Sequence, residues 1–263
     1  MTATLARPAG PRPLRCYVAT TVRILRQLRA DHRTVAMLLL VPALLLTLLY
    51  FVYQDSPQPP PGVPRLFDRV GISMLGILPF IVMFLITAIA MQRERTSGTL
   101  ERLMTTPLSK LDLLAGYGSA FSVAATAQAG VACLVAFWLL DLRAAGSVWL
   151  VLLIAVVDAV LGVALGLLAS AFARTEFQAV QFMPVIVGPQ FFLCGLLVPR
   201  GDLPGWLEVI SNALPLSYAV SALQEVSRHP GATGEMWRDL AIVALFAAAA
   251  LCLGAATLRR RTA

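Results

Sequence analysis

Two carboxylates, Glu94 and Glu101, flank a glycine in a short polar segment between two long apolar runs. Gly98 can serve as the N-cap of a short helix, which places Glu101 at the third helical position. A carboxylate there meets unpaired N–H groups and the positive end of the helix dipole. Pro107 then ends the helix. Residues 93–108 are therefore predicted to form a compact element with charged flanks and an apolar face, a shape suited to gripping a soluble partner protein.

No enzymatic motif accompanies this segment. The sequence contains no Gly-x4-Gly-Lys-[Ser/Thr] phosphate-binding loop, and its only lysine, Lys110, is followed by leucine. Zinc-protease, serine-elbow and paired-carboxylate patterns are missing as well. The four cysteines are scattered without a Cys-x-x-Cys pair, so no metal or redox site is predicted. The chain itself is expected to bind no cofactor and to catalyse no reaction.

The elements that position the segment are long apolar runs. Of the 263 residues, 58% are hydrophobic and only 13% are charged, whereas globular chains are about 25% charged. Six runs approach or exceed the roughly 20 apolar residues that cross a bilayer, and such runs must be helical to satisfy their backbone groups. They are residues 34–53, 71–91, 111–140, 148–172, 180–198 and 240–258. We therefore predict an all-α integral membrane protein with six transmembrane helices.

The arginines predict the orientation of these helices. Of the 21 Lys and Arg residues, fifteen fall in the N-terminal segment, the connections after the second and fourth spans, and the C-terminal tail. Because basic residues favour the cytoplasmic side, both termini are expected in the cytoplasm, with the chain in the plasma or inner cell membrane. The basic residues that give the net charge of +7 lie beside apolar runs. They therefore indicate contact with anionic lipids and not nucleic-acid binding.

The predicted organisation has three parts. Residues 1–33 form a cytoplasmic segment, in which residues 14–31 are expected to be an amphipathic helix in the headgroup plane. A basic, disordered orientation signal is the alternative. Residues 34–258 form the six-span transmembrane domain, and residues 259–263 form a cytoplasmic tail.

The connection before the last span, residues 199–230, is not simply polar. Apolar residues recur at helical spacing over residues 203–214, and a second half-apolar stretch follows Pro215. Pro184 and Pro189 suit the fifth span to a break or bend. We expect an outer re-entrant helical hairpin, with an ordinary loop of two surface helices as the alternative.

This combination resembles the type 2 ATP-binding-cassette exporter permeases, including the daunorubicin-resistance and polysaccharide-export branches. The resemblance covers nearly the whole chain and rests on Glu94, Gly98, Thr99, Glu101, Thr106, Pro107, Pro199, Pro204, Gly205, Trp206, Leu207, Pro215, Leu216, Ser217 and Tyr218. The chain departs from the family pattern in one place. Many relatives carry a lysine shortly after a glycine at the start of the third span, whereas Gly116 is followed here by Tyr117.

The resemblance implies a dimeric membrane unit, formed with a second copy or a homologous permease. It also implies two cytoplasmic ATP-binding-cassette ATPase subunits, which would hold ATP and Mg. The substrate exported would be lipophilic, drug-like, lipid or glycan. The residues coupling the membrane unit to the ATPase would be Glu94, Gly98, Thr99, Glu101 and Pro107. The outer re-entrant segment would include Pro204, Trp206, Pro215 and Tyr218.

Asp158 is the one acidic residue placed convincingly deep in an apolar run. An aspartate at mid-bilayer costs about 2.5–3.5 kcal/mol on insertion scales, so it should face the protein interior. Gly162 and Gly166 follow on the same helical face and suit close helix packing. Asp158 is expected either to be protonated or hydrogen-bonded, through Thr126 or Gln128, or to line a translocation path at the dimer interface.

Two other functions are open from the residues alone. An ion-coupled secondary transporter or channel would place several ionisable groups inside the bilayer, and Asp158 alone does not form such a set. A lipid-modifying membrane enzyme would need a polar cluster at one membrane face, which the sequence does not indicate. The exporter permease is the favoured interpretation.

Overall fold

The computed structural model describes residues 13–57, 59–60, 63–99 and 110–257. Within these ranges the chain forms nine α-helices and no strand, which confirms the predicted all-α class. The helices are α1 (Pro13–Ala30), α2 (His32–Gln54), α3 (Leu66–Thr96), α4 (Lys110–Leu134), α5 (Val148–Ser170), α6 (Glu176–Leu193), α7 (Gly205–Ala213), α8 (Pro215–Arg228) and α9 (Gly234–Thr257).

Five of the described helices are long and apolar enough to cross a membrane. They are α2, α3, α5, α9, and α4 together with its π-helical continuation, as Asp112–Leu139. The predicted fifth span, residues 180–198, corresponds to α6, which is not among them because Glu176 and three glutamines make it less apolar. Pro184 and Pro189 lie inside one continuous helix, so of the predicted break or bend the break does not occur.

The helices run alternately between two ends of a bundle. We call them the α1 end, where α2 begins and α3 finishes, and the α7 end, where α6 finishes and α5 begins. Asp31 separates α1 from α2 and caps α2, because its carboxylate accepts hydrogen bonds from the Thr34 backbone N–H at 3.1 Å and from its hydroxyl at 2.7 Å. At the α7 end, the rings of Tyr50 and Phe67 meet edge to face at a centroid distance of 5.2 Å.

The predicted N-terminal amphipathic helix is confirmed as a helix, and it packs against α4. Ile24 is buried against that helix, and Leu28 packs beside it. Val18 on the same helix is 46% exposed, so the buried face of α1 runs through Ile24 and does not include Val18.

The central contact of the bundle joins α3 to α5. A Cβ atom on Gly162 would lie 2.4 Å from the backbone oxygen of Phe80, and one on Gly166 would lie 2.5 Å from that of Phe84. No side chain fits at such distances, so the two glycines are what lets the backbones approach. The predicted packing role of this glycine stripe is thus confirmed, and α3 and α5 form one tightly packed pair.

Candidate functional site

The candidate coupling element begins where α3 ends. The helix finishes at Thr96, and Gly98 adopts a left-handed conformation with φ of 71°. Its N–H donates to the Arg95 carbonyl at 3.4 Å. A residue with a side chain rarely adopts this conformation, so Gly98 terminates α3 at low cost. Its predicted N-cap role concerns residues 100–109, which include Glu101 and Pro107 and lie outside the described residues.

Glu94 lies one turn before this end and is tied to α1. Its Oε1 lies 3.5 Å from Nη2 of Arg23, and the side chains of Arg23 and Glu94 are 30% and 14% exposed. The same Arg23 nitrogen donates a 2.6 Å hydrogen bond to the hydroxyl of Tyr117 on α4. The Arg23 guanidinium therefore joins three helices through a single side chain.

The α1–α4 contact is close at the same level. A Cβ on Gly116 would lie 2.8 Å from Cγ2 of Thr20, and the Tyr17 hydroxyl is hydrogen-bonded to that of Ser119 at 2.6 Å. Tyr117 is buried, which fixes its hydroxyl beside Arg23. The sequence singled out Tyr117 only as a departure from the family pattern, and its contact with Arg23 was not foreseen. Residues far apart in the chain, such as Arg23 and Tyr117, carry no periodic signal that would pair them.

A second ion pair ties α3 to α6. The guanidinium of Arg93 donates two hydrogen bonds of 3.2 Å to the two carboxylate oxygens of Glu176, the first residue of α6. This bidentate contact lowers the pKa of the Glu176 carboxyl, with the hydrogen bond from Arg93 as the largest cause. The last two turns of α3 thus contact α1 and α4 through Glu94, and α6 through Arg93.

In this arrangement, charged side chains connect the end of α3 to three other helices. Glu94, Gly98 and Thr99 lie together at the end of α3, as the sequence predicts from their proximity in the chain. A push on the segment after Gly98 would reach α1, α4 and α6 through charged contacts that can shift without leaving a cavity. Within the described part of the chain, no group of three His, Cys, Asp or Glu side chains could hold a metal ion.

The predicted outer segment is found as two short helices, α7 and α8, at the opposite end. Pro215 occupies the first turn of α8, where its missing N–H costs nothing. The Tyr218 hydroxyl donates to the Asn212 carbonyl at 2.7 Å, and the Arg200 guanidinium lies 5.0 Å from the Tyr218 ring centre. Pro204 precedes α7, and Trp206 on α7 is 68% exposed.

The segment contacts the end of α6 and caps its Leu193 carbonyl. The Leu193 carbonyl accepts hydrogen bonds from the hydroxyls of Ser211 at 2.7 Å and Ser217 at 3.4 Å. The Gln190 side chain accepts from the Leu216 N–H at 3.3 Å. Most of α8 is buried, in contact with α3, α5, α6 and α9, whereas α7 leaves an apolar surface exposed.

Asp158 lies inside the bundle and is fully buried. Neither of its carboxylate oxygens has a hydrogen-bond partner, so the expected bond to Thr126 or Gln128 is not formed. A Cβ on Gly76 of α3 would lie 3.2 Å from Oδ2 of Asp158 and 2.7 Å from Cδ1 of Leu223 on α8. Asp158 is therefore enclosed by α3 and α8 within this chain.

Comparison with known proteins gives a family and several relatives. Residues 15–226 match the family described as "ABC-2 type transporter". The chain is 25% identical over 168 residues to "Probable multidrug ABC transporter permease YbhR" of Escherichia coli (strain K12), covering 64% of this chain and 46% of that protein. It is 26% identical over 165 residues to "Linearmycin resistance permease protein LnrN" of Bacillus subtilis (strain 168), covering 63% and 43%.

A eukaryotic protein is also similar. The chain is 26% identical over 162 residues to "ABC transporter G family member 20" of Dictyostelium discoideum, covering 62% of this chain and 22% of that protein. The similarity spans less than half the length of each of these relatives.

Proposed function

This chain belongs to the ABC-2 type transporter family, and on that premise we propose that it is the membrane subunit of an exporter driven by separate cytoplasmic ATPase subunits. The observation that carries the proposal is the connected end of α3. Arg23, Glu94 and Tyr117 link α3 to α1 and α4, and Arg93 links it to α6 through Glu176. An ATPase bound beside Gly98 would therefore act on four helices through one contact.

The names of two relatives support a lipophilic, drug-like substrate, because one is called a multidrug permease and the other a linearmycin resistance permease. A large amphipathic molecule cannot cross the bilayer through an aqueous pore of small radius, and a pair of helical subunits that alternate in orientation avoids this problem. The partner subunit would be a second copy of this chain or a homologous permease.

The proposal is tested by purification with and without an ATPase. The purified chain alone should hydrolyse no ATP, and a cassette ATPase expressed with it should copurify. Glu101→Ala should keep the protein folded while lowering transport and substrate-stimulated ATPase activity together. Glu208→Gln, on α7 at the opposite end, is the matched control. Robust hydrolysis by the isolated chain, or full transport by Glu101→Ala, contradicts the proposal.

The orientation is tested separately by labelling. In a cysteine-free background, single cysteines at Ser56 and Thr233 should react with an impermeant thiol reagent applied outside the cell. Single cysteines at Thr96 and Thr262 should not react. Labelling of Thr96 from outside would invert the proposed topology and place Gly98 out of reach of a cytoplasmic ATPase.

A further inference from the structure

A cleft of about 750 Å³ opens between α1, α2, α3 and α4 at the α1 end. Its volume falls in the range of sites for drug-sized ligands. The described residues that line it include Asp31, Val41, Val82, Leu85, Arg93 and Glu94. Asp158 does not line it.

The lining changes from polar to apolar along the cleft. Along α3 it passes from Thr99 and Glu94 at the mouth to Leu85 and Val82 at the far end, and α2 follows the same order from Asp31 to Val41. From Val82 to Ser97 the helix rises about 22 Å. Half of the hydrocarbon core is about 15 Å thick. The cleft is longer than that by about the thickness of one headgroup layer. The cleft therefore matches one leaflet, with its polar mouth at the headgroup level.

The charges at the mouth favour a hydrogen-bond donor. Among the described residues of the lining, Arg93 is the one basic side chain, and both oxygens of Glu176 hold it. Glu94 also lines the cleft. Arg23 lies 3.5 Å from its Oε1, whereas its Oε2 is buried without a hydrogen-bond partner. A buried carboxylate oxygen without a donor is costly, and an ammonium group would satisfy it. The Asp31 carboxylate adds a second acceptor at the same mouth.

We propose that this cleft binds an amphipathic amine, with its apolar body between α2 and α3 and its ammonium group beside Glu94 and Asp31. The inference rests on the proposed function and deepens it, because it names the class of molecule that enters from the leaflet on the α1 side. The shared chemistry is an alkyl body with an amine head, whether it comes from a lipid or from a soluble amphiphile.

The test uses the full chain in nanodiscs of phosphatidylcholine, without an ATPase. The probe is dodecylamine carrying a photoreactive diazirine at mid-chain, with dodecyl sulfate and dodecyl maltoside carrying the same group as matched probes. The amine should label α2 and α3 near Val41 and Leu85. Labelling by the sulfate and by the maltoside should each be about tenfold weaker at equal concentration, as the absence of one charge-assisted hydrogen bond predicts.

Two variants separate shape from charge. Ala90→Trp should fill the cleft and abolish labelling by the amine, whereas Leu48→Trp, on an exposed part of α2 outside the lining, should leave it unchanged. Glu94→Gln keeps the shape and should remove the preference for the amine over the maltoside. Because Ala90→Trp could unfold the chain, each variant is compared by its melting temperature. If Ala90→Trp proves to be unfolded, the result with Glu94→Gln alone tests the proposal.

Equal labelling by all three probes, or labelling confined to exposed positions such as Leu48, overturns the inference. Adding phosphatidylethanolamine identifies the source, since competition indicates a lipid amine and its absence indicates a soluble one. The two proposals fail separately. If labelling follows the prediction but no ATPase associates, the exporter function fails alone, and if an ATPase supports transport without labelling of the cleft, the cleft assignment fails alone.

Discussion

The end of α3 and its middle contact their neighbours in opposite ways. At the end, long charged side chains bridge gaps between helices, as Arg23 does between Glu94 and Tyr117. In the middle, Gly162 and Gly166 of α5 press directly on the α3 backbone, and the buried Asp158 has no hydrogen-bond partner. Charged bridges can rearrange by rotating about side-chain bonds, whereas a backbone contact can only move as a unit. In the exporter proposed above, motion would enter α3 at its adjustable end, and α3 and α5 would carry it together.

The rigid middle is where the largest effect is expected. Gly162→Ala adds a Cβ that would lie 2.4 Å from the Phe80 backbone oxygen, which no side-chain rotation can relieve. We expect the free energy of unfolding to fall by about 1–3 kcal/mol or more, as for other overpacked sites. The measurement is the melting temperature of the purified protein in detergent.

Gly130→Ala on α4 is the matched control, because a Cβ there meets nothing within 4 Å. It should raise the free energy of unfolding by about 0.5–1 kcal/mol, as alanine does over glycine inside a helix. Equal stability of the two variants would mean that α3 and α5 separate easily, and the contrast between rigid middle and adjustable end would not hold.

The adjustable end should respond more to function than to stability. Arg23→Ala leaves the half-buried Glu94 carboxylate without its cation, so we expect a loss of roughly 1–3 kcal/mol in the free energy of unfolding. Transport should fall further than stability explains, because α1 and α4 lose their common link to α3. Arg26→Ala, an exposed arginine on the same helix, is the control.

A double-mutant cycle with Glu94→Gln measures whether Arg23 and Glu94 act as a pair. A coupling energy of about 0.5–3 kcal/mol is expected for residues in one network. Additive effects on both stability and transport would show that the 3.5 Å contact between their side chains contributes no coupling energy.

The sequence predicted most of the helices because apolar length is a property of contiguous residues. It placed Glu94, Gly98 and Thr99 correctly beside one another at the end of the second span. It could not find Arg23 or Tyr117, since their contact joins residues 94 positions apart and depends on how α1 docks. It also extended the fifth span too far, because α6 ends at Leu193 and the apolar residues that follow are not helical. The Leu193 carbonyl is instead capped by the hydroxyl of Ser211.

Two buried aspartates differ in whether their carboxylates have hydrogen-bond partners. Asp68 accepts two hydrogen bonds from Arg65 at 2.8 and 2.9 Å and one from the Arg143 N–H at 3.0 Å. Asp158 accepts none. Asp158→Asn should therefore change the melting temperature little, whereas Asp68→Asn should lose about 1–3 kcal/mol of unfolding free energy. Because Asp158 is enclosed within the chain, transport of every substrate should survive Asp158→Asn. A selective loss of cationic substrates would instead place Asp158 on the translocation path.

The smallest effect is expected at the Arg93–Glu176 pair, the most exposed bridge at the adjustable end. Their side chains are 64% and 42% exposed, so Glu176→Gln should cost less than about 1 kcal/mol of unfolding free energy at neutral pH. The effect should vanish in 1 M salt, where the screening length is about 3 Å.

Arg93 lowers the pKa of Glu176 in the folded protein. The contribution of the pair to stability is therefore complete above the unfolded pKa of about 4.3 and is lost as the pH falls through the lower folded value. The melting temperatures of wild type and Glu176→Gln should therefore converge in acid. If they stay apart there, the stabilisation does not come from this ion pair. If transport falls at neutral pH while stability hardly changes, the bridge transmits motion from α3 to α6, as the adjustable end requires.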